Sequence, residues 1–224
     1  MILVTNDDGI DAPGLATLVR IAGRLGDVMV MAPREEQSYA GHRVTVGAAL
    51  QPVEVAPGRY HLNGTPADCV RVALQALRWD VSLVLSGINR GGNLGADIYT
   101  SGTVAAAREA AFLGRPAVAI SQYVHSGHPL DWSRTEEIAG RALAELVGNG
   151  VAASGTYWNV NLPHPGPELG VRHCDPDTHP LDVRYEPVAG GYRFAGKYRE
   201  RRSTSGRDVA ECFGGYVTVS RLRL

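Results

Sequence analysis

The sequence predicts an α/β fold, a Rossmann-like, doubly wound and mostly parallel sheet with a β-hairpin and C-terminal β extensions. Three observations indicate it. Short apolar runs rich in Val, Ile and Leu have the character of buried parallel strands. Segments with helical spacing lie between them, as crossover helices do between parallel strands. The predicted strands cover residues 2–6, 27–33, 81–87, 116–121 and 157–163.

The predicted helices have recognisable ends. The first lies between Pro13 and Gly26, where apolar residues recur at helical spacing. An alanine-rich helix ends at Gly114, a residue suited to a helix C-terminus. A later helix begins where Ser133 and Glu136 stand in capping-box register. The first strand, first helix and second strand therefore form a βαβ unit.

Two stretches interrupt this alternation. Residues 42–64 alternate like a hairpin, and residues 171–224 are mostly extended, with Gly-Gly turns. We expect both to form β extensions beside the main sheet. The length of 224 residues suits one large domain over 1–224, with a core of about 1–165 and a C-terminal β extension of about 166–224.

Composition excludes several classes of protein. The formal net charge of -1 gives no overall basic field, so we expect no specific nucleic-acid partner. The three cysteines, Cys69, Cys174 and Cys212, have no paired spacing, which argues against a disulfide framework or a zinc site. No signal peptide or membrane span is recognisable, so we expect a soluble, cytoplasmic protein without a membrane partner. The basic cluster at 197–202 is either a solvated surface arm or an arm that contacts substrate or a partner.

Asp7 and Asp8 directly follow the first predicted strand. In an open α/β sheet the ligand crevice lies beyond the carboxyl ends of the strands, which is where these carboxylates stand. Two adjacent anions repel each other, and a cation bound between them offsets that repulsion. Because the ligands are oxygens, they suit a hard ion such as Mg²⁺ or Mn²⁺. Gly9 permits the turn that would let both carboxylates converge. The alternative is a simple turn at Asp8-Gly9, with Asp7 as a helix cap.

A glycine-rich loop follows the third predicted strand and contains Asn89 and Asn93. Glycines let the backbone approach a ligand, and an asparagine amide oxygen is a neutral hard ligand. The loop leads to Ser101, Gly102 and Thr103 at the start of the alanine-rich helix, where unpaired N–H groups and two hydroxyls suit a phosphate. The alternative is ordinary N-capping by Ser101 or Thr103. A carboxylate pair beside a phosphate cradle suggests phosphoryl chemistry.

The loop after the second predicted strand contains Ser38 and His42. Ser38 is either a cap or a metal ligand. His42 is either a surface or structural residue, or a general acid or phosphate donor. Further along, Asn63 and Thr65 either reach substrate or shape the turn before a helix.

Four motifs in order, "ILVTNDDGI", "AP..EQS..GH", "NGTPADCV" and "SGINRGGNLG....SGTVAAA", resemble the SurE family of stationary-phase survival nucleotidases. The resemblance covers roughly residues 1–121, and "WNVNLP" and "GYVTVS" are weaker matches. It implies a metal-dependent phosphatase for 5′- and 3′-nucleoside monophosphates, with polyphosphate as a substrate of some members, in homodimers or homotetramers. The divalent ion would be held by Asp7, Asp8, Ser38 and Asn89, and phosphate by Asn93, Ser101, Gly102 and Thr103.

Our mechanistic hypothesis combines these residues. One Mg²⁺ or Mn²⁺ per subunit would activate a water for in-line attack, with Asp7 or Asp8 as the catalytic base. A covalent route with Asp7 as nucleophile is the rival, although the usual D-x-D spacing is absent. A non-catalytic nucleotide sensor is the alternative function. A dinucleotide-dependent oxidoreductase is disfavoured because no G-x-G-x-x-G follows the first strand.

Overall fold

The computed structural model describes residues 1–151, 155–164 and 166–224. The strands in these ranges are β1 Ile2–Thr5, β2 Val28–Pro33, β3 Pro52–Ala56, β4 Arg59–Leu62, β5 Leu83–Arg90, β6 Ala117–Gln122, β7 Thr156–Leu162, β8 Val171–His173, β9 Tyr185–Val188, β10 Gly191–Phe194 and β11 Val217–Arg223. The α-helices are α1 Pro13–Ala22, α2 Pro66–Arg71, α3 Gly102–Phe112, α4 Trp132–Gly148 and α5 Asp208–Phe213.

A nine-stranded sheet organises the fold, in the order β3-β4-β2-β1-β5-β6-β7-β11-β8. The strands from β4 to β7 in that order run parallel, and β3 and β11 are antiparallel to their neighbours β4 and β7. This confirms the predicted doubly wound, mostly parallel architecture.

Helices cover both faces of the sheet because its strands are apolar on both sides. Ile2 and Val4 face the layer formed by α1 and α4, whereas Leu3 between them faces the layer of α2 and α3. Alanines on α3, such as Ala106 and Ala110, are fully buried and let that helix pack closely on the sheet. The core therefore forms two apolar layers, one on each side of the sheet.

The chain changes direction across the sheet at β1. It passes from β1 through α1 to β2 on one side, and later through α2 to β5 on the other side of β1. This switch point separates the loops that follow β1 and β5, and it opens the crevice where such folds bind ligands.

The structure differs from the sequence prediction in detail. β5 does not end at residue 87 but continues to Arg90, with an irregular register between Ser86 and Asn89. Asn89 therefore lies at the end of a strand and not in a free loop. The helix expected after the turn at Asn63 and Thr65 is α2 followed by a π-helical turn, Val72–Ala76.

The predicted β extensions are present, and most of them join the main sheet instead of lying beside it. Within 42–64, β3 and β4 form the hairpin, and β4 pairs in parallel with β2. In the C-terminal region β11 lies between β7 and β8, whereas β9 and β10 form a separate two-stranded sheet. Among the helices of the described residues, none combines the length and apolar character that a membrane crossing requires.

Candidate active site

A cavity of about 1120 Å³ opens at the carboxyl ends of β1 and β5. Its walls come from the loops after these strands, the start of α1, the loop after β2, and the segment after β10. Six of the candidate residues predicted from the sequence line it together: Asp7, Asp8, Ser38, Asn89, Asn93 and Ser101.

Asp7 lies at the bottom of the site and is 4% exposed. The Thr103 hydroxyl donates to its Oδ1, and the Thr103 N–H donates to its Oδ2 at 3.1 Å. Burial raises the pKa of Asp7 to about 6, with a further increase from the neighbouring Asp8 and an opposing effect of the bonds from Thr103. The first turn of α3 thus fixes this carboxyl group at the base of the cavity.

Asp8 is only partly buried and points to a different partner. Its Oδ2 accepts a hydrogen bond from the Arg90 N–H at 3.1 Å. Burial raises the pKa of Asp8, and the nearby Glu36 carboxylate adds to the increase. Gly9, at φ +97°, makes the turn that follows the pair. The pair and Glu36 thus concentrate negative charge at one place.

Ser38 and Asn89 bring neutral oxygens to the same cavity. The Ser38 hydroxyl donates to Glu36 Oε1, and Asn89 Nδ2 donates to the Gly91 carbonyl at 2.7 Å. Since the amide nitrogen of Asn89 is engaged with the loop, its oxygen is the atom left to accept from, or to ligate, another group.

The N-terminus of α3 approaches Asp7 closely because residue 102 is glycine. A Cβ added at Gly102 would lie 2.9 Å from Asp7 Cβ and 3.2 Å from Pro66 Cγ. Ser101 caps the helix, its Oγ accepting from the Val104 N–H at 3.0 Å. Ser101 is therefore the N-cap of α3, and its hydroxyl proton remains available for another acceptor.

His42 is not brought to the cavity. Its Nε2 lies 2.7 Å from Glu109 Oε2, and the other oxygen of Glu109 accepts from Arg71 Nε at 2.7 Å. Burial opposes ionisation of Glu109, but the bonds from His42 and Arg71 outweigh it and lower the pKa of that carboxyl. Here His42 takes part in a partly buried hydrogen-bond network with Glu109 and Arg71, outside the lining of the cavity. Among the other candidates, Thr65 is the N-cap of α2, and Asn63 Oδ1 accepts from the Gln51 N–H at 2.7 Å.

The segment after β10 contributes cationic and aromatic side chains to the cavity. Lys197, Tyr198 and Arg201 all line it, so the basic cluster is not simply a solvated surface arm. Arg201 has a side chain only 3% exposed, and its Nη1 contacts Asp97 Oδ2 at 2.8 Å. This segment is thereby fastened to the turn that leads into α3.

The donor set fits a hard divalent cation. Two carboxylates, a hydroxyl and an amide oxygen line one cavity, and all are oxygen donors of the type that Mg²⁺ and Mn²⁺ prefer. The carboxyl groups of the cavity wall outnumber its cations, since Asp7, Asp8, Glu36, Asp97 and Asp182 face Arg90, Lys197 and Arg201. Over the described ranges no three His, Cys, Asp or Glu side chains form a metal-binding cluster, so a cation here would depend on Ser38 and Asn89 as well.

Comparisons with known proteins identify the family. The family described as "Survival protein SurE" matches residues 2–180. A putative 5'-nucleotidase of Nostoc sp. is 43% identical over an alignment that covers 100% of this chain and 99% of the relative. The chain belongs to the SurE family.

Other SurE proteins agree in sequence and in structure. A 5'-nucleotidase SurE of Paramagnetospirillum magneticum is 40% identical, with 99% of this chain and 88% of the relative covered. The crystal structure of the SurE protein from Aquifex aeolicus has a TM-score of 0.87 at 30% identity, covering 99% of this chain and 92% of that chain. The SurE match at 2–180 contains all the candidate site residues but ends before the segment with Tyr198 and Arg201.

Sequence reasoning missed several residues of the cavity wall in this SurE chain, among them Glu36 and Asp97. Glu36 stands two residues before Ser38 in the same loop, so its charge was a signal that could have been used. Asp97 is distinguished by its contacts with Tyr198 and Arg201, which lie about a hundred residues later in the chain. No local pattern indicates contacts of that range.

Proposed function

We propose that this SurE chain is a divalent-metal-dependent nucleotidase that hydrolyses 5'- and 3'-nucleoside monophosphates to nucleoside and phosphate. The observation that carries the proposal is the convergence of Asp7, Asp8, Ser38 and Asn89 with Asn93 and Ser101 in one cavity. Such a cavity combines oxygen ligands for a cation with donors for a phosphate, and the relatives named 5'-nucleotidase support the substrate class.

Asp7, Asp8, Ser38 and Asn89 would hold one Mg²⁺ or Mn²⁺ by their oxygen atoms. A bound cation of this kind neutralises phosphate charge and lowers the pKa of a coordinated water. The chain supplies the fixed geometry, because both oxygens of Asp7 are already oriented by Thr103. A preoriented ligand loses little conformational freedom when the cation binds.

The protein's own groups have separate tasks in hydrolysis. Asp8 is the better candidate for the base that accepts a proton from water, since it is partly exposed and only one of its oxygens is engaged, by the Arg90 N–H. Ser101, with a free hydroxyl proton, and Asn93 would bind the non-bridging oxygens of the phosphate. The N-terminus of α3 adds a favourable dipole at the same place.

The covalent alternative has less structural support. A nucleophilic carboxylate needs an oxygen that can approach phosphorus, but Asp7 is buried and each of its oxygens accepts from Thr103. Attack by water requires no such approach. We therefore propose direct hydrolysis.

The broader substrate range and the assembly are further parts of the proposal. The cavity volume of about 1120 Å³ exceeds what a single phosphate needs, which leaves room for a nucleoside and for the additional phosphates of a polyphosphate chain. We also propose a homodimer or homotetramer. The exposed apolar residues of the hairpin formed by β9 and β10, including Tyr185, Tyr192 and Phe194, support it.

The test is release of inorganic phosphate from a panel of 5'- and 3'-nucleoside monophosphates and polyphosphate, each with Mg²⁺, Mn²⁺ or a chelator. We expect phosphate release with a divalent ion and its loss with the chelator. Asp8→Asn should lower kcat by about two orders of magnitude or more, because it removes a charged ligand and the proposed base. The folded state should survive, since Asp8 is partly exposed.

Asp11→Asn is the matched control, because Asp11 lies three residues further on, has a side chain 94% exposed, and does not line the cavity. It should keep wild-type activity. Binding of nucleotides without any phosphate release in the presence of either ion would contradict an enzyme and favour a sensor. Full activity of Asp8→Asn would contradict the assigned roles.

A further inference from the structure

We propose that Asn161 and Tyr198 are positioning residues that fix the Gly92–Asn93 peptide, and through it the Asn93 side chain, in the orientation needed for phosphate binding. This inference rests on the proposed function. It assigns a role to the second asparagine of the "WNVNLP" stretch and to the C-terminal segment, neither of which touches the proposed cation ligands.

The Asn161 side chain makes two hydrogen bonds to the backbone of Asn93. Its Oδ1 accepts from the Asn93 N–H at 2.8 Å, and its Nδ2 donates to the Asn93 carbonyl at 3.1 Å. A side-chain amide that pairs with both the N–H and the C=O of one residue mimics a neighbouring strand. Asn161 thus fixes the position and the rotation of residue 93 together.

Two further side chains, Asn159 and Tyr198, contact the same stretch of backbone, and together with Asn161 we call them the clamp. Asn159, two residues before Asn161 on the same face of β7, donates to the Asn93 carbonyl at 2.8 Å. From the opposite end of the sequence, the Tyr198 hydroxyl lies 3.0 Å from the Gly92 carbonyl oxygen and 2.8 Å from Asp97 Oδ2, and its one proton is shared between these two acceptors. The peptide group between Gly92 and Asn93 is therefore bound at its oxygen by Tyr198 and at its nitrogen by Asn161.

Burial makes this clamp rigid. Asn159 and Asn161 are at most 1% exposed, so water does not compete for their hydrogen bonds. The neighbouring strand offers a contrast, because Thr218 lies opposite Asn161 and is equally buried, yet its hydroxyl has no partner among the described residues. Buried polar residues in this part of the sheet therefore do not all bind the backbone at Gly92 and Asn93. Asn161 is distinguished by its contacts.

The first test compares Asn161→Leu with Thr218→Val, two changes that remove a buried polar group at facing positions. Loss of a residue that orients a ligand typically costs about 10- to 100-fold in activity, and we expect kcat of Asn161→Leu to fall by about that factor. Thr218→Val should keep the wild-type kcat, since no contact to the loop is lost. Both are measured below the melting temperature of the variant, with folding checked by circular dichroism.

Asn161→Asp separates positioning from packing. Burial should raise the pKa of the new carboxyl group, and its protonated form can donate and accept as the amide does. The ratio of its kcat to that of the wild type should therefore rise as the pH falls, because protonation restores the donor to the Asn93 carbonyl. A ratio that stays flat or falls with acidity contradicts the clamp.

Tyr198→Phe tests the contact at the Gly92 carbonyl oxygen. It allows the inference to be tested even where Asn161→Leu fails to fold. It removes the hydroxyl, and with it the contacts to Gly92 and Asp97, while Asp97 keeps its bond from Arg201. The ring stays beside the Arg201 guanidinium, whose carbon lies 4.2 Å from the ring centroid. We expect kcat to fall roughly two- to tenfold, the value of one hydrogen bond. Wild-type kcat in both Tyr198→Phe and the Asn161 variants would overturn the inference, whereas absence of phosphate release by the wild type would overturn the proposed function.

Discussion

At the scale of the residue, the buried carboxyl of Asp7 makes stability depend on pH. Its pKa is raised from 3.8 to about 6 in the folded protein, so the folded state binds this proton more tightly than the unfolded state does. In the metal-free protein the free energy of unfolding should therefore fall as the pH rises from about 4 to about 6. The upper limit of this change is about 3 kcal/mol, from roughly two pKa units at about 1.4 kcal/mol each.

Asp7→Asn removes the titrating group and should flatten this part of the stability curve. Above pH 6, with a chelator present, the variant should be more stable than the wild type, although one of the two bonds from Thr103 is lost. Urea unfolding at pH 4, 5, 6 and 7 measures the effect. Parallel curves for the two proteins would show that Asp7 does not titrate in this range.

The residues of the candidate site differ in how far the sequence could predict them. Asp7, Asp8, Ser38 and Asn89 come at or just after strand ends, so their position in the chain indicated that they would meet, and they do line one cavity. Asn161 lies inside a strand, and its partner Asn93 is 68 residues away. A polar residue in an apolar strand signals some buried partner, but the identity of that partner depends on strand order, which no local pattern specifies.

At the scale of the element, α4 begins earlier than its sequence suggests. The predicted capping box of Ser133 and Glu136 is wrong, because Asp131 is the N-cap and its side chain accepts from the Ser133 and Arg134 N–H groups. Glu136 instead forms an ion pair with Arg20 at 2.7 Å, which joins α4 to α1. Trp132 packs against the core and is part of the helix, so the helix starts before Ser133.

The cap can be tested with a matched pair of variants. Asp131→Ala should lower the free energy of unfolding by about 1 kcal/mol, since both N–H groups lose their acceptor. Ser133→Ala should leave stability almost unchanged, because its hydroxyl has no capping role. Urea denaturation of both variants decides the assignment, and a larger effect at Ser133 than at Asp131 would restore the capping box.

At the scale of the whole molecule, β11 joins parts of the chain that are distant in sequence. Within this strand, Val219 lies opposite Val160 of β7 and His173 of β8. The sequence predicted an extended segment here, but the choice of neighbours depends on long-range pairing and could not be read from periodicity. The sequence therefore predicted the doubly wound core correctly. It did not predict which strands pair at the edges of the sheet, because that pairing is long-range.

Proline substitutions compare the two kinds of C-terminal strand. Val219→Pro should abolish a cooperative unfolding transition, because proline removes a donor within a strand that is paired on both sides. Val188→Pro is the control, since Val188 lies in the exposed hairpin outside the main sheet. Thermal unfolding should show near-normal behaviour for the control, and equal damage in both variants would mean that β11 is not central to stability.

The place of β11 between β7 and β8 also constrains the order of folding. Within the described sheet β8 has β11 as its neighbour and makes no ladder with β7, although β8 is the next strand after β7 along the chain. Residues 171–173 therefore have to wait for residues 217–223 before they can be incorporated, and the intervening chain has to close as a long loop first. We expect that rim of the sheet to be the last part to acquire protection during refolding, after the parallel centre has already formed.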